Sequence, residues 1–446
     1  IYTVDGVAYQ ITDENGNPVS FQTVEKFTEY RDCGFDIIMF QADDPYRGEE
    51  FQTSHIKDLM DKAHEAGLKA IIFDKRLHDY SASESPIVGE NCEFESQEEL
   101  ESYVADCMKD YRNHPAFYGL LLRDEPNYRM LPALGAVIRA IRAVDPDCFA
   151  QCNLFPLANG QAHLYREGAT ENTVLSAYEW YVREFLRETG SDYVMFDSYP
   201  MTVSGGASMI KVEHLKGMQI VADICRELDK DFYMAIQSSS WMNNRERKTR
   251  PVLEEDLYWQ WNLCLGMGVR QISYFTYQRK RTNVWSGEYF DDGTSFLSSS
   301  GERTPLYTWA KNVHEEMQKL VPVIFEFDYC GLSTYVSQPA PCNVGFLGGV
   351  RDDEFTMLED VTISPSSVLL VTEMYDDEKQ QYGYMVMNIA DPDAASSVNA
   401  ELAFSEADAV SVYGNGTNEV FALDEGKFSV ELAPGRGVFV LPYSVQ

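Results

Sequence analysis

Phe117 to Arg123 (FYGLLLR), followed at once by Asp124-Glu125-Pro126, is the stretch on which the fold turns. It is a short apolar run ending in charged residues. It lies between two helical patterns, Gln97 to Arg112 and Leu131 to Val144, where apolar residues recur every three or four positions. The same cadence repeats on both sides. Strand-like runs occur at Asp36 to Gln41, Leu68 to Asp74, Cys148 to Leu154, Tyr193 to Asp197, Phe232 to Gln237 and Gln271 to Thr276, with an opening strand in Tyr2 to Gln10. Helical patterns fill the intervals, at Val24 to Cys33, His55 to Ala66, Thr173 to Thr189, Val212 to Leu228, Leu253 to Gly266 and Pro305 to Leu320.

Eight strand–helix pairs in one direction predict an α/β fold, a (β/α)8 TIM barrel, since closing a parallel sheet leaves no exposed edge. An open doubly wound sheet fits less well. No Gly-rich turn follows the first strand, and polar or aromatic residues gather after nearly every strand rather than at one switch point. Beyond Leu320 the pattern changes to alternating strands broken by Asp-Pro, Gly-Asn-Gly and Pro-Gly turns. The expected division is a barrel over residues 1–322 and a C-terminal antiparallel β-sandwich over 323–446, which braces the barrel or carries a sugar-binding surface.

A hydrophobic content of 44% with 24% charged residues in 446 describes a folded chain, and no uninterrupted apolar stretch suggests membrane insertion. The formal net charge of -35 opposes nucleic acid and anionic membranes as partners. The nine cysteines show no CxxC spacing and read as reduced, buried small hydrophobes rather than zinc ligands. Because the chain starts at Ile1 and not at Met, processing or trimming upstream is expected, and the compartment and oligomeric state stay open. The run Arg351 to Glu354 reads as a solvated turn.

In a barrel of this kind reacting groups sit at the carboxyl ends of the strands. Those ends carry Asp74, Asp124-Glu125, Asn153, Asp197 with Tyr199, Gln237 and Tyr274 to Tyr277: carboxylates, amides and aromatic rings. Such an inventory suits a carbohydrate, whose hydroxyls need donors and acceptors and whose C–H faces stack on rings. Histidine is nearly absent there, only His78 being close, so a Ser-His-Asp triad or a metal site is not expected, and no cofactor is implied. Asp124-Glu125 supplies the strongest candidate for an acid that protonates a glycosidic oxygen, because crowded carboxylates raise the pKa of one of them. The competing reading pairs Glu125 with Arg123, two residues away on one strand face. Trp241, Trp285, Tyr46 and Tyr80 are loop aromatics suited to sugar stacking or to plugging the core; Trp180 and Trp259, at helical spacing, read as packing.

The segment His114 to Gly119 running into Arg123-Asp124-Glu125-Pro126 resembles the acid/base strand of glycoside hydrolase (β/α)8 barrels, including β-galactosidase-like enzymes. Asn153-Leu154-Phe155-Pro156, Phe196-Asp197-Ser198-Tyr199-Pro200 and Gly268 to Phe275 resemble the fifth, sixth and eighth strands of such enzymes. The resemblance implies a glycosidase with Glu125 as general acid/base and a carbohydrate substrate. One departure stands out: retaining members of clan A carry a nucleophilic glutamate at the end of the seventh strand, where this sequence has Gln237. Three readings follow. The substrate's acetamide does the work, as in hexosaminidases with an Asp-Glu pair like Asp124-Glu125; another carboxylate such as Asp197 or Glu288 takes part; or the barrel only binds sugar. Catalytic candidates are thus Glu125, Asp124 and Asp197, and substrate-binding candidates Asp74, Asn153, Tyr199, Gln237, Trp241, Tyr274, Tyr277 and Trp285.

Overall fold

The computed structural model describes residues 11–12, 18–19, 22–41, 53–243, 246–247, 249–277, 288–290, 294–298, 300–338, 355–393 and 396–444. Seven parallel strands follow one another in sequence order. Ile37–Gln41, Lys69–Phe73, Phe117–Asp124 and Phe149–Asn153 form one ladder, and Tyr193–Asp197, Asp231–Gln237 and Val269–Phe275 form a second. A parallel bridge between Leu154 and Phe196 joins the two. These are the second to eighth strands of the sequence reading; the first, Tyr2 to Gln10, lies outside the described residues, and among those residues hydrogen bonding does not close the ring.

Strand alternation sorts the side chains. Ile37, Met39, Ile71, Phe73, Leu121, Tyr193, Met195 and Ala235 form one buried cluster enclosed by the strands, while the intervening residues, such as Ile38, Ile72, Leu120, Val194 and Ile236, join the larger core beneath the helices. Leu131–Val144 and Val212–Leu228 form helices over the ranges their periodicity predicts. Pro305–Ile324 runs one turn further than expected, and Lys75–Ser81 is a helix that the sequence did not announce. Among the described residues no helix is long and apolar enough to cross a membrane.

The C-terminal part is antiparallel. A six-stranded sheet contains Asp328–Val336, Val368–Asp376, Gln381–Asn388, Gly437–Tyr443, Ala409–Gly414 and Thr417–Ala422, and a three-stranded sheet contains Leu358–Ile363, Val398–Phe404 and Lys427–Leu432. Leu369, Val371, Tyr384 and Val386 face the smaller sheet. Their neighbours Leu370, Met385 and Met387 belong to the core beneath the helices, so the strands Val368–Asp376 and Gln381–Asn388 are buried on both sides, while Thr417–Ala422 at the sheet's edge is exposed. The helix Glu254–Gly266 lies in this seam, and its residues from Asp256 to Gly266 are all buried. A helix covered all round shows no apolar stripe, and this one has none. Trp259 Nε1 donates to Ile389 O (3.1 Å) and Asn262 Nδ2 to Gly435 O (3.0 Å), both across the seam.

Candidate active site

The fourth strand does not run straight into its carboxylates. Leu121 pairs with Gln151 but Arg123 pairs with Cys152, so Leu122 is an extra residue in a β-bulge. The bulge shifts the alternation by one. Asp124 now stands opposite Asn153 on the enclosed face, and Arg123 turns away, its Nη1 donating to His78 Nε2 at 3.2 Å. This corrects the expectation that Arg123 and Glu125 share a face. Glu125 lies past the strand end at φ 47°, a left-handed conformation that costs a non-glycine residue about 1–3 kcal/mol and is characteristic of functional sites. Its N–H donates to Asn153 O (2.7 Å), and Tyr181 Oη donates to the carbonyl of Pro126, fixing the turn on both sides. Among the described residues Glu125 enters no ion pair.

Asn153 is the hub. Its Nδ2 donates to Asp124 Oδ1 (2.9 Å) and to Asp197 Oδ1 (2.6 Å), so one buried amide spans carboxylates from the fourth and sixth strands. Asp197 also accepts a hydrogen bond from Tyr199 and feels the charge of Lys211. Burial raises the pKa of Asp197, and these three partners pull it back by stabilising the anion. Glu125 has less support. Burial first, then repulsion from Asp197 and Asp124, push its pKa up to about 9, against only the attraction of Lys211. Both carboxyls are thus pushed toward the protonated form, Glu125 up to about 9, and Asp197 has the larger set of partners for its anion. Nearby, Tyr165, Tyr178 and Tyr181 pack with ring centroids 5.1 to 6.3 Å apart, all buried, Tyr165 and Tyr181 within reach of the charge of Glu125 and Tyr178 within reach of that of Asp197.

Of the residues expected from sequence, the structure brings together Asp124, Glu125, Asn153, Asp197 and Tyr199. Four others are placed elsewhere. Asp74 has no exposed side-chain surface. It caps the helix Lys75–Ser81 through Arg76 N (3.0 Å), pairs with the Arg76 guanidinium (2.8 Å) and accepts from Tyr111 Oη (2.9 Å), so it is a structural anchor rather than a sugar ligand. Tyr274 points outward by alternation; its hydroxyl accepts from Trp261 Nε1 (2.6 Å) and lies 2.8 Å from His314 Nε2. Tyr277 is buried, its ring stacked on Phe296 at 5.3 Å and edge-on to Tyr30 at 4.8 Å. Gln237 is 0% exposed: Oε1 accepts from Met201 N (2.9 Å), and Nε2 donates to Ser239 O (3.1 Å) and Arg250 O (3.5 Å). Its capacity is spent on holding two loops together, which excludes contact with a substrate in this arrangement.

Among the loop aromatics, Tyr80 packs on Phe94 (5.0 Å) and Tyr103 (5.5 Å), the core-plug alternative. Trp241 begins a short strand that pairs with Glu288–Phe290, its side chain lying outside the described residues, as do Trp285 and Tyr46. Lys211 was missed: it follows the hairpin Met201–Ser204 and Ala207–Ile210 with no motif to mark it. A cavity of about 380 Å³ lined by Asp192, Arg226, Lys230, Asp231, Arg270 and Asp328 opens at the amino ends of the strands, the end opposite Glu125, and takes no part in this site. Asp74→Ala should cost about 1–3 kcal/mol of stability in a denaturant titration, since it removes the hydrogen bond from the buried Tyr111 and leaves the half-buried Arg76 paired with Asp110, while KM stays unchanged. A raised KM at unchanged stability would restore Asp74 to the substrate side.

No family model matches the chain, and no curated protein sequence matches it. Solved structures do. A glycoside hydrolase aligns over 100% of this chain and 97% of its own, with a TM-score of 0.53 at 11% identity. A GH27 β-L-arabinopyranosidase from Geobacillus stearothermophilus, solved in complex with arabinose, aligns over 100% and 96%, with a TM-score of 0.50 at 11% identity. At that identity the likeness is one of architecture: the chain has the α/β fold of these glycoside hydrolases, parallel strands followed by an antiparallel C-terminal domain.

Proposed function

We propose that the chain is a glycosidase that hydrolyses an O-glycosidic bond in a carbohydrate, with Glu125 as general acid/base. The observation that carries this reading is the unequal support of two neighbouring carboxylates. Groups whose environments force their titrations apart serve as acid and base, and here burial and two neighbouring carboxylates favour the protonated form of Glu125, while Asn153, Tyr199 and Lys211 favour the anion of Asp197. Glu125 donates its proton to the leaving oxygen. Asp197 meets the developing positive charge at the anomeric carbon, either attacking it or taking the proton of an incoming water. Asp124, held by Asn153, and Tyr199 contact sugar hydroxyls. The same reading takes the strands as a closed (β/α)8 barrel completed by Tyr2 to Gln10, over residues 1–322, with the β-sandwich over 323–446.

Asp197→Asn tests the assignment of the second group. The exchange should lower kcat by about 10²-fold or more on activated and unactivated glycosides alike, because it removes the charge rather than the leaving-group proton. Cleavage confined to 2-acetamido sugars, with Asp124→Asn as damaging as Asp197→Asn, would select substrate assistance instead. Binding of sugars with no turnover across a glycoside panel would leave a carbohydrate-binding barrel.

A further inference from the structure

We infer that Arg250, together with Asp391 of the β-sandwich, positions the sixth-strand side of the proposed site. The chain leaves Asp197 toward the helix Val212–Leu228. It passes Tyr199 and Pro200, forms the hairpin Met201–Ser204 with Ala207–Ile210, and returns to Lys211, whose N–H donates to Pro200 O at 2.9 Å. Asp197 is held by the parallel ladder, but Tyr199 and Lys211 flank the hairpin and depend on its placement.

Arg250 holds that hairpin at several points. Its N–H donates to Met201 O (3.1 Å), its Nε donates to Ser208 Oγ (2.7 Å), and Thr249 bridges Thr202. Its guanidinium, only 8% exposed, pairs with Asp256 at the start of the helix Glu254–Gly266 (Nη2 to Oδ1, 2.7 Å, with Nη1 on Oδ2) and with Asp391 (Nη2 to Oδ1, 3.0 Å). Asp391 closes the loop by accepting from Ser208 Oγ at 2.7 Å. It belongs to the Asp391-Pro392 turn after the strand Gln381–Asn388, so a carboxylate of the C-terminal part touches the hairpin that Tyr199 and Lys211 flank. A buried arginine needs one carboxylate to balance its charge. Here Asp256 supplies that, and the second, contributed from the other domain together with a hydroxyl relay, determines position more than charge. An arginine fork suits the task because its rigid plane serves both carboxylates and the Ser208 hydroxyl at once, whereas a lysine ammonium could not span them.

The inference rests on the proposed glycosidase site, and its test separates the two. Glu125 titrates facing Asp124 from its own strand end, Asp197 from the sixth strand, Lys211 from the start of the helix Val212–Leu228, and Tyr165 and Tyr181 from below. Its titration can be read without any substrate, from the pH dependence of the difference in melting temperature between Glu125→Gln and the parent. Asp391→Asn and Ser208→Ala leave the Arg250–Asp256 pair intact, so both variants should fold. Each should move the Glu125 titration by about 0.5 to 1 pH unit, because Lys211 shifts relative to it and Tyr199 relative to Asp197. On a cleaved glycoside, kcat should fall about 10-fold with a smaller change in KM, and Arg250→Lys should show the same loss despite keeping the charge. An unmoved titration in folded Asp391→Asn overturns the positioning role even if glycosides are cleaved. A moved titration with no hydrolysis of any glycoside supports the positioning and sinks the glycosidase reading.

Discussion

Glu125→Gln should lower kcat on an unactivated glycoside by about 10²–10⁴ and at the same time make the protein more stable than the parent above about pH 5. The loss of rate follows from the removal of the proton donor at the leaving oxygen; a glycoside whose leaving group is already a weak base, such as a dinitrophenolate, needs no such donor and should be cleaved with far less impairment. The gain in stability has a definite sign. The folded carboxyl titrates at about 9 against an ordinary value of 4.5, so between those values the native state binds more protons than the unfolded chain. Stability contributed by the protonated form is complete below the unfolded value and is lost as pH rises toward the folded one. Glutamine does not titrate, and the melting-temperature advantage of the variant should widen steadily from pH 5 to pH 9. A constant difference across that range would mean that Glu125 ionises as an ordinary carboxylate and is unsuited to the acid role.

Gln237→Glu should destabilise the fold by about 2–4 kcal/mol and confer no new activity. The position is where a retaining clan A enzyme carries its nucleophile, so restoring a glutamate is the obvious experiment if the glutamine is read as a disabled catalyst. The geometry argues otherwise. Nε2 donates to two carbonyls, Ser239 O and Arg250 O, and the backbone at Gln237 is gripped on both sides by Gln260, at 2.8 and 3.1 Å. A carboxylate there would face two carbonyl oxygens with no water to help, and either ionisation or the broken donors would cost stability. Denaturation midpoints and a glycoside panel decide between these outcomes. Unchanged stability with raised kcat would show that Gln237 stands in for a lost nucleophile.

The sequence was most readable where one physical demand dominated each residue. The helix Leu131–Val144 has a clean apolar face and begins and ends where its periodicity does. The strand Phe117–Asp124 was equally plain, yet the bulge at Leu122 was not, because a bulge swaps side-chain faces without changing residue types. That single inserted residue decides whether Arg123 or Asp124 faces Asn153. Asp74 and Tyr274 were misplaced for a related reason. Position at a strand end alone marks both as site candidates, although alternation from Phe73 and from Ser273 puts both side chains on the outer face. Asp197 and Asn153 pass the same parity test, two residues on from Met195 and Gln151. The contribution of Lys211 depends on a hairpin folding back across the strand ends, and the fully buried helix Glu254–Gly266 carries no periodic signal.

That buried helix limits what kind of part the β-sandwich can be. A Cβ at Gly266 would come within 3.0 Å of Met385 and 3.1 Å of Thr372, and one at Gly435 within 2.2 Å of Glu255 O, so the two units meet with no tolerance for an added methyl group. Modules that evolution shuffles among enzymes are joined by linkers and meet across wet, forgiving surfaces. The C-terminal sheets are thus fixed to the helix and strands beside them, and exchange for another appendage would require changing both faces of the seam together.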